Sequence, residues 1–226
     1  MAHVLSTCEW NWADAEREYE LAIELNPRHS TAHHWYAITC LMPQQRLAEA
    51  ELEIREAAAL DPVSIGISRD VAVIQWAKRD YAAAAAQARR TIELAPNFHE
   101  AYWIMGLALA QLKRYDEAIA AFGRGRALRP TARLIGALGH AFGVSGREDD
   151  ARRCEIDLIE MSQERYVSPF DLALVWLGLG ETERAFDYLE RAFQDRSYEV
   201  LWLPLDPRWD AVRTHASYRS LALRSA

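Results

Sequence analysis

The chain has 226 residues, 50% of them hydrophobic and 26% charged, the balance of a folded protein with a substantial core. Its 26 Lys and Arg against 33 Asp and Glu leave a formal net charge of −7, which argues against a phosphate backbone as partner, so no direct nucleic-acid binding is expected. Cys8, Cys40 and Cys154 are scattered with no C-x-x-C pair, which excludes a disulfide framework or a thiolate zinc site and fits the reducing cytoplasm.

Four prolines set the frame for the rest. Pro27, Pro62, Pro96 and Pro130 are 35, 34 and 34 residues apart and close the phrases AIELNP, AAALDP, TIELAP and RALRP. An alanine stands 12 residues before each (Ala15, Ala50, Ala84, Ala118), and the column continues at Ala151 and Ala185 after the prolines stop. Apolar residues inside each beat recur at three- and four-residue steps, broken once near the middle, and sustained alternation of β-branched residues is missing. Each beat therefore reads as a helical hairpin, and the whole as an all-α solenoid of about six units.

In chain order, the first unit spans about residues 1–29. Its opening MAHVLSTCEW is not a secretory signal, and no later run approaches the roughly 18–20 apolar residues that cross a bilayer, so no membrane partner is expected. The unit is short, because only about eight residues precede the turn at Glu9–Asn11. With no cap before it, Val4, Leu5 and Trp10 are expected to be partly exposed, a surface for homo-oligomer formation or for docking another domain.

The second unit, 31–64, opens on NPRHSTAHHWYA, with Ser30 or Thr31 as the expected helix cap. His29 and His33 stand four apart but are separated by that cap, and His34 falls in a column of packing residues. With no carboxylate or cysteine at usable spacing, no metal site is expected here.

The third unit is 65–98. In the fourth, 99–131, Tyr102, Met105, Gly106 and Leu109 form one helical stripe and Ala118, Phe122 and Gly125 a second, with LKRYDE between them. Gly106, Gly139, Ala72 and Ala173 each lie 12 before their unit's alanine, an offset that sets two small residues face to face between antiparallel helices; Ile38 breaks that column in the second unit. Arg124, Arg126, Arg129 and Arg133 read as solvated cations near a helix C-terminus. Gly123 and Gly125 do not make a dinucleotide fingerprint, since no strand precedes them.

The fifth unit is 132–165, where GVSGR at 143–147 is the inter-helix turn and not a nucleophile elbow. The sixth, 166–197, has Ser197 in place of the closing proline, and Glu155 replaces an apolar residue in the fifth. Residues 198–226 form a C-terminal cap in which Leu201, Trp202, Leu203, Leu205 and Trp209 cover the last hairpin.

The columns resemble the tetratricopeptide repeat, most fully at Tyr102, Met105-Gly106, Ala118, Phe122 and Pro130, and the resemblance runs over about residues 1–197. WNWADAEREYELAIELNP, ALGHAFGVSGR and RYVSPFDLALVWLGLGETERAFDYLERAF also look like the C-terminal repeat array of bacterial signalling regulators that carry a winged-helix, kinase or cyclase domain, none of which is present in this sequence.

The resemblance implies a superhelix whose first helices line a concave binding face. The column one position after the packing aromatic is Trp35, Arg69, Trp103, Gly136 and Phe170, and one turn further lie Thr39, Val73, Leu107, His140 and Leu174, with Trp76 flanking. The groove is expected to be aromatic and apolar with a single cation, Arg69. It lacks the Lys and Asn of a carboxylate clamp and suits a protein partner's extended peptide or amphipathic helix. The function expected is a non-catalytic, cofactor-free interaction module of cytoplasmic signalling; the alternative is a small-ligand sensor regulating a fused or associated effector. No catalytic residue is expected, since no nucleophile has a convergent base.

Overall fold

The hairpin turns show how the period becomes structure. In the computed structural model, which describes residues 1–223, a left-handed residue sits in the turn of every hairpin: Trp10, Gln45, Arg79, Lys113, Gly146 and Gly180. Their steps of 35, 34, 34, 33 and 34 are those of the alanine column. In five of the six the next residue donates its N–H to a carbonyl five positions back, as from Arg114 to Leu109 at 3.0 Å and from Glu181 to Trp176 at 3.0 Å, and in the first hairpin Asn11 reaches Leu5, six back, at 2.9 Å. This reversal satisfies the last carbonyls of the first helix and points the chain back along it.

Six helix pairs result. The first is α1 (Ala2–Val4), running directly into a π-helical turn at Leu5–Glu9, with α2 (Trp12–Leu25). The second is α3 (Ser30–Trp35), continued by a π-helical turn at Tyr36–Leu41, with α4 (Leu47–Leu60). Then follow α5 (Ile65–Ala77) with α6 (Tyr81–Leu94), α7 (His99–Gln111) with α8 (Tyr115–Leu128), α9 (Ala132–Val144) with α10 (Glu148–Ser162), and α11 (Pro169–Gly178) with α12 (Thr182–Gln194). No strand occurs among the described residues. Side-chain caps start several helices: Asn11 accepts from Asp14 N–H, Ser64 from Ile67, Asp80 from Ala83 and Thr131 from Leu134. The second hairpin differs from expectation. Its first helix begins at Ser30 itself, with His29 at the cap position and no side-chain cap bond.

All six alanines of the column are fully buried, at the seam where each hairpin's helices meet. A Cβ on Gly106 would lie 2.5 Å from the Phe122 ring and one on Gly139 2.7 Å from Val175, so the small column does allow close approach. The two hairpins that put a large residue there, His3 and Ile38, are the two whose first helix swells into a π turn. In the second, Met42 N–H bonds to Ala37 carbonyl at 3.0 Å, five residues back. The extra residue in the turn makes room for buried Ile38.

The C-terminal segment does more than cap. Two 3₁₀ turns, Tyr198–Trp202 and Pro207–Val212, and α13 (Ala216–Ala222) bury Val200, Leu203, Trp209, Tyr218 and Leu221 against Phe170, Trp176, Phe186 and Leu189 of the last hairpin. The final three residues of the expected cap, 224–226, lie outside the described residues. The segment then reaches back across the concave face: Arg208 lies over the Trp76 ring at 5.9 Å, and Arg79 pairs with Asp210 at 3.0 Å. The first hairpin is partly exposed, as expected, with one contact from the far end of the array. Arg196 lies over the Trp10 ring at 4.7 Å and donates to the Glu9 carbonyl. Val4 remains exposed, while Leu5 and Trp10 are half-buried.

Candidate functional site

The concave face and the C-terminal segment line a half-open cavity of ≈410 Å³. Six of the ten residues expected in the groove stand on its wall: Trp35, Arg69, Trp76, Trp103, Phe170 and Leu174. They come from α3, α5, α7 and α11, the first helices of four hairpins, which is why a column read at the repeat period converges on one space.

The other four do not reach it. Thr39 is buried in the π turn, where it donates to the Trp35 carbonyl at 2.8 Å and shares hydrogen bonds with Ser6 (3.1 Å) and Tyr19 (2.9 Å). Val73 and Leu107 are core residues, and His140 is buried with burial pushing its imidazole down to about 3. One turn beyond the groove column, the helices lean on their neighbours, so positions four residues on face protein. Gly136, in the groove column itself, marks a close contact instead. A Cβ there would come within 2.8 Å of the Asp171 carbonyl, so α9 and α11 pack backbone to backbone at that point.

The expectation of a single cation is corrected by the tail and by α9. Arg133, read as solvated, lies over the Trp103 ring at 5.1 Å, and Arg208 joins it on the wall. Carboxylates answer these cations. Asp70 is fully buried between His34 Nε2 at 2.6 Å and Arg69 Nη1 at 3.0 Å, and Arg69 Nη2 also meets Glu100 at 3.3 Å. Arg133 pairs with Glu199 at 3.5 Å and Arg208 with Asp206 at 2.6 Å. Asp171 is the exception. It is 3% exposed, and its Oδ1 has no hydrogen-bond partner among the described residues. Burial, with the charge of Glu199 beside it, pushes its carboxyl up to about 7 against the pull of Arg133 and Arg208.

The histidines of the opening motif take separate duties. His34 stacks on Trp35 at 4.7 Å while holding Asp70, and His33 spans Glu53 (2.6 Å) and the Pro27 carbonyl (3.0 Å). Among the described residues no group of three His, Cys, Asp or Glu could hold a metal, and no helix is long and apolar enough to cross a membrane. The thiols of Cys40 and Cys154 are buried and pushed up to about 12 by that burial, which makes them inert.

Sequence reasoning missed the far wall: Tyr198, Glu199, Trp202, Asp206 and Arg208, all from the aperiodic tail. It also passed over Asp70 and Asp171, although a signal existed. They stand one position after the groove column, where the equivalent residues are Tyr36, Ile104 and Ala137. A carboxylate inside an apolar stripe is rarely left there without a partner. The indole N–H groups of Trp76 and Trp103 and the Nε of Arg69 are likewise buried without partners among the described residues.

A family model described as tetratricopeptide repeat matches residues 11–65 and 72–132. Comparison with curated protein sequences gives no match. Among solved structures, a thermophilic tetratricopeptide-repeat protein of Thermus thermophilus is similar at TM-score 0.65 and 20% identity over 84% of this chain and 97% of that one. PilW, a type IV pilus biogenesis factor, is similar at 0.64 and 18% over 90% and 91%. Pseudomonas aeruginosa pilF is similar at 0.60 and 16% over 96% and 91%. At these identities the likeness is one of fold.

Proposed function

The chain belongs to the tetratricopeptide-repeat family, whose members generally mediate protein–protein interactions and are generally non-catalytic, and from that premise we propose that it is a ligand-responsive interaction module of a bacterial regulatory assembly. In this reading the central cavity admits a small guest, and the array passes its occupancy to a protein partner. The observation that carries it is that the chain's own tail supplies the far wall of the concave face.

Size separates this reading from the amphipathic helix that the open groove suits. The cavity measures ≈410 Å³, within the roughly 300–1,000 Å³ typical of small-molecule sites. The tail is not readily displaced to make room. Val200, Leu201, Leu203, Leu205 and Trp209 are all buried, each worth about 1.5–3 kcal/mol. A second reading, a short peptide end inserted into the cavity, is favoured by the Trp and Arg composition of its wall. Self-association through the first hairpin has less to support it, because Arg196 already covers Trp10.

Thermal melting of the full chain against a small-metabolite collection and a set of short peptides tests the proposal. A guest at a hundred times its Kd stabilises by about 2.7 kcal/mol, so at least one small molecule should raise Tm by several degrees. Trp103→Leu should remove that shift. Stabilisation by peptides alone would move the assignment to the second reading, and no stabilisation by any guest would end both.

A further inference from the structure

Resting on the small-guest reading, we propose that the cavity selects a small organic amine in its protonated form, with Asp171 as counter-ion and aromatic rings as walls.

Charge inventory is the first argument. Arg69, Arg133 and Arg208 face the cavity together with Asp70, Asp171, Glu199 and Asp206, so carboxylates exceed guanidiniums by one. Each guanidinium has a carboxylate within 3.5 Å. An anionic guest would have to compete with an existing ion pair for any of them. Asp171 has no ion-pair partner among the described residues and an oxygen without a hydrogen-bond partner, so it is the least compensated of the four, reached by Arg133 and Arg208 only at longer range. A buried carboxylate without a partner is costly, and an ammonium N–H placed beside it supplies both the opposite charge and the missing hydrogen bond.

A simpler account of Asp171 exists. It lies in the first turn of α11, where the helix dipole favours negative charge. That role does not account for the whole of its setting, because the residue is 3% exposed and its Oδ1 has no hydrogen-bond partner among the described residues. The position does border open space, because Asp171 forms part of the wall both of this cavity and of an adjoining cleft of ≈280 Å³.

The walls fit the same guest. Trp35, Trp103, Phe170 and Trp202 offer ring faces and edges to an apolar body, and an ammonium over such faces gains about 0.5–2 kcal/mol. The indole N–H of Trp103, without a partner among the described residues, can also donate to a neutral oxygen on the guest.

Three probes of matched shape decide the matter by calorimetry on the full chain: 2-phenylethylamine, 2-phenylethanol and 3-phenylpropanoate. The amine should bind at least about tenfold tighter than the alcohol, with the propanoate weakest. Asp171→Asn, which keeps the shape and removes the charge, should erase the preference for the amine while leaving alcohol affinity within about twofold. If that variant does not melt as a folded protein, the amine-to-alcohol ratio of the unaltered chain stands as the test. Equal binding of amine and alcohol, or tighter binding of the propanoate, overturns the cation assignment and leaves the small-guest reading standing. No binding by any probe at about 10 mM, together with no stabilising metabolite, removes the small-guest reading itself.

Discussion

The first two hairpins and the last two use the same repeat with opposite local chemistry. In the first pair, large side chains in the small-residue column expand the first helices into π turns, and polar contacts fill the space between. Tyr36 donates to Glu16 at 2.8 Å, Glu16 accepts from Arg46 at 2.5 Å, and Ser6, Thr39 and Tyr19 form a buried hydroxyl cluster. In the last pair, glycine lets backbones touch: a Cβ on Gly143 would press into the Gly178 carbonyl carbon, and one on Gly178 would lie 2.6 Å from the His140 carbonyl oxygen. The difference shows what the repeat fixes and what it leaves free. It fixes the turn and the alanine seam, while the spacing of neighbouring first helices follows from side-chain volume. Close spacing in the last pair brings Asp171 beside Arg133, and the tail supplies the far wall there.

The largest effect should come from removing the tail's anchor. Trp209 is fully buried, with Phe170 and Phe186 rings at 5.9 and 6.1 Å. Trp209→Ala is expected to cost about 3–5 kcal/mol, measured by urea unfolding. Its counterpart at the other end, Trp10→Ala, should cost about 1–2 kcal/mol, since Trp10 is half-buried under one guanidinium. Equal losses would mean that the tail is no more integral than the first hairpin. Next in size, Gly143→Ala should cost about 1–3 kcal/mol, because backbone cannot yield as a flexible side chain does. Gly123→Ala is its control: no atom of the described residues lies within 4 Å of the added Cβ, and a gain of about 0.5–1 kcal/mol is expected from the helix interior. A harmless Gly143→Ala would show that α9 and α11 can part freely and that glycine does not set the shape of the last pair.

How far the sequence foretells this molecule divides along the same line. The alanine column, the hairpin count and the groove column are periodic, and periodic residues land in equivalent places, so Trp35, Arg69, Trp103 and Phe170 were legible as members of one wall. Of the second groove row only Leu174 reaches the wall, because at the other four positions the neighbouring first helix sits close enough to cover a residue one turn further on. Thr39, Val73, Leu107 and His140 are therefore buried. The tail had no repeat to place it. Its apolar residues announced burial against the last hairpin, but nothing in its spacing showed that Tyr198, Glu199, Trp202 and Arg208 would face Trp76 and Trp103 across the concave side.

The smallest effects lie in the turns, where the two regions solve one problem with different residues. Lys113 holds φ 59° and Gly180 φ 77° at equivalent positions. A side chain in the left-handed region costs about 1–2 kcal/mol in the folded state, while glycine loses about 0.5–1 kcal/mol more chain entropy on folding. The two terms oppose each other, with the first slightly larger. Lys113→Gly should therefore stabilise by about 0.5 kcal/mol, and Gly180→Ala should destabilise by about 1 kcal/mol, even though a Cβ on Gly180 meets no atom of the described residues within 4 Å. Both are measurable as shifts in urea midpoint at unchanged m. Opposite signs mean that one backbone geometry governs both turns and only local chemistry differs between the regions. The same sign for both would mean that the last hairpins turn under a different constraint, and the shared reversal would no longer account for the period.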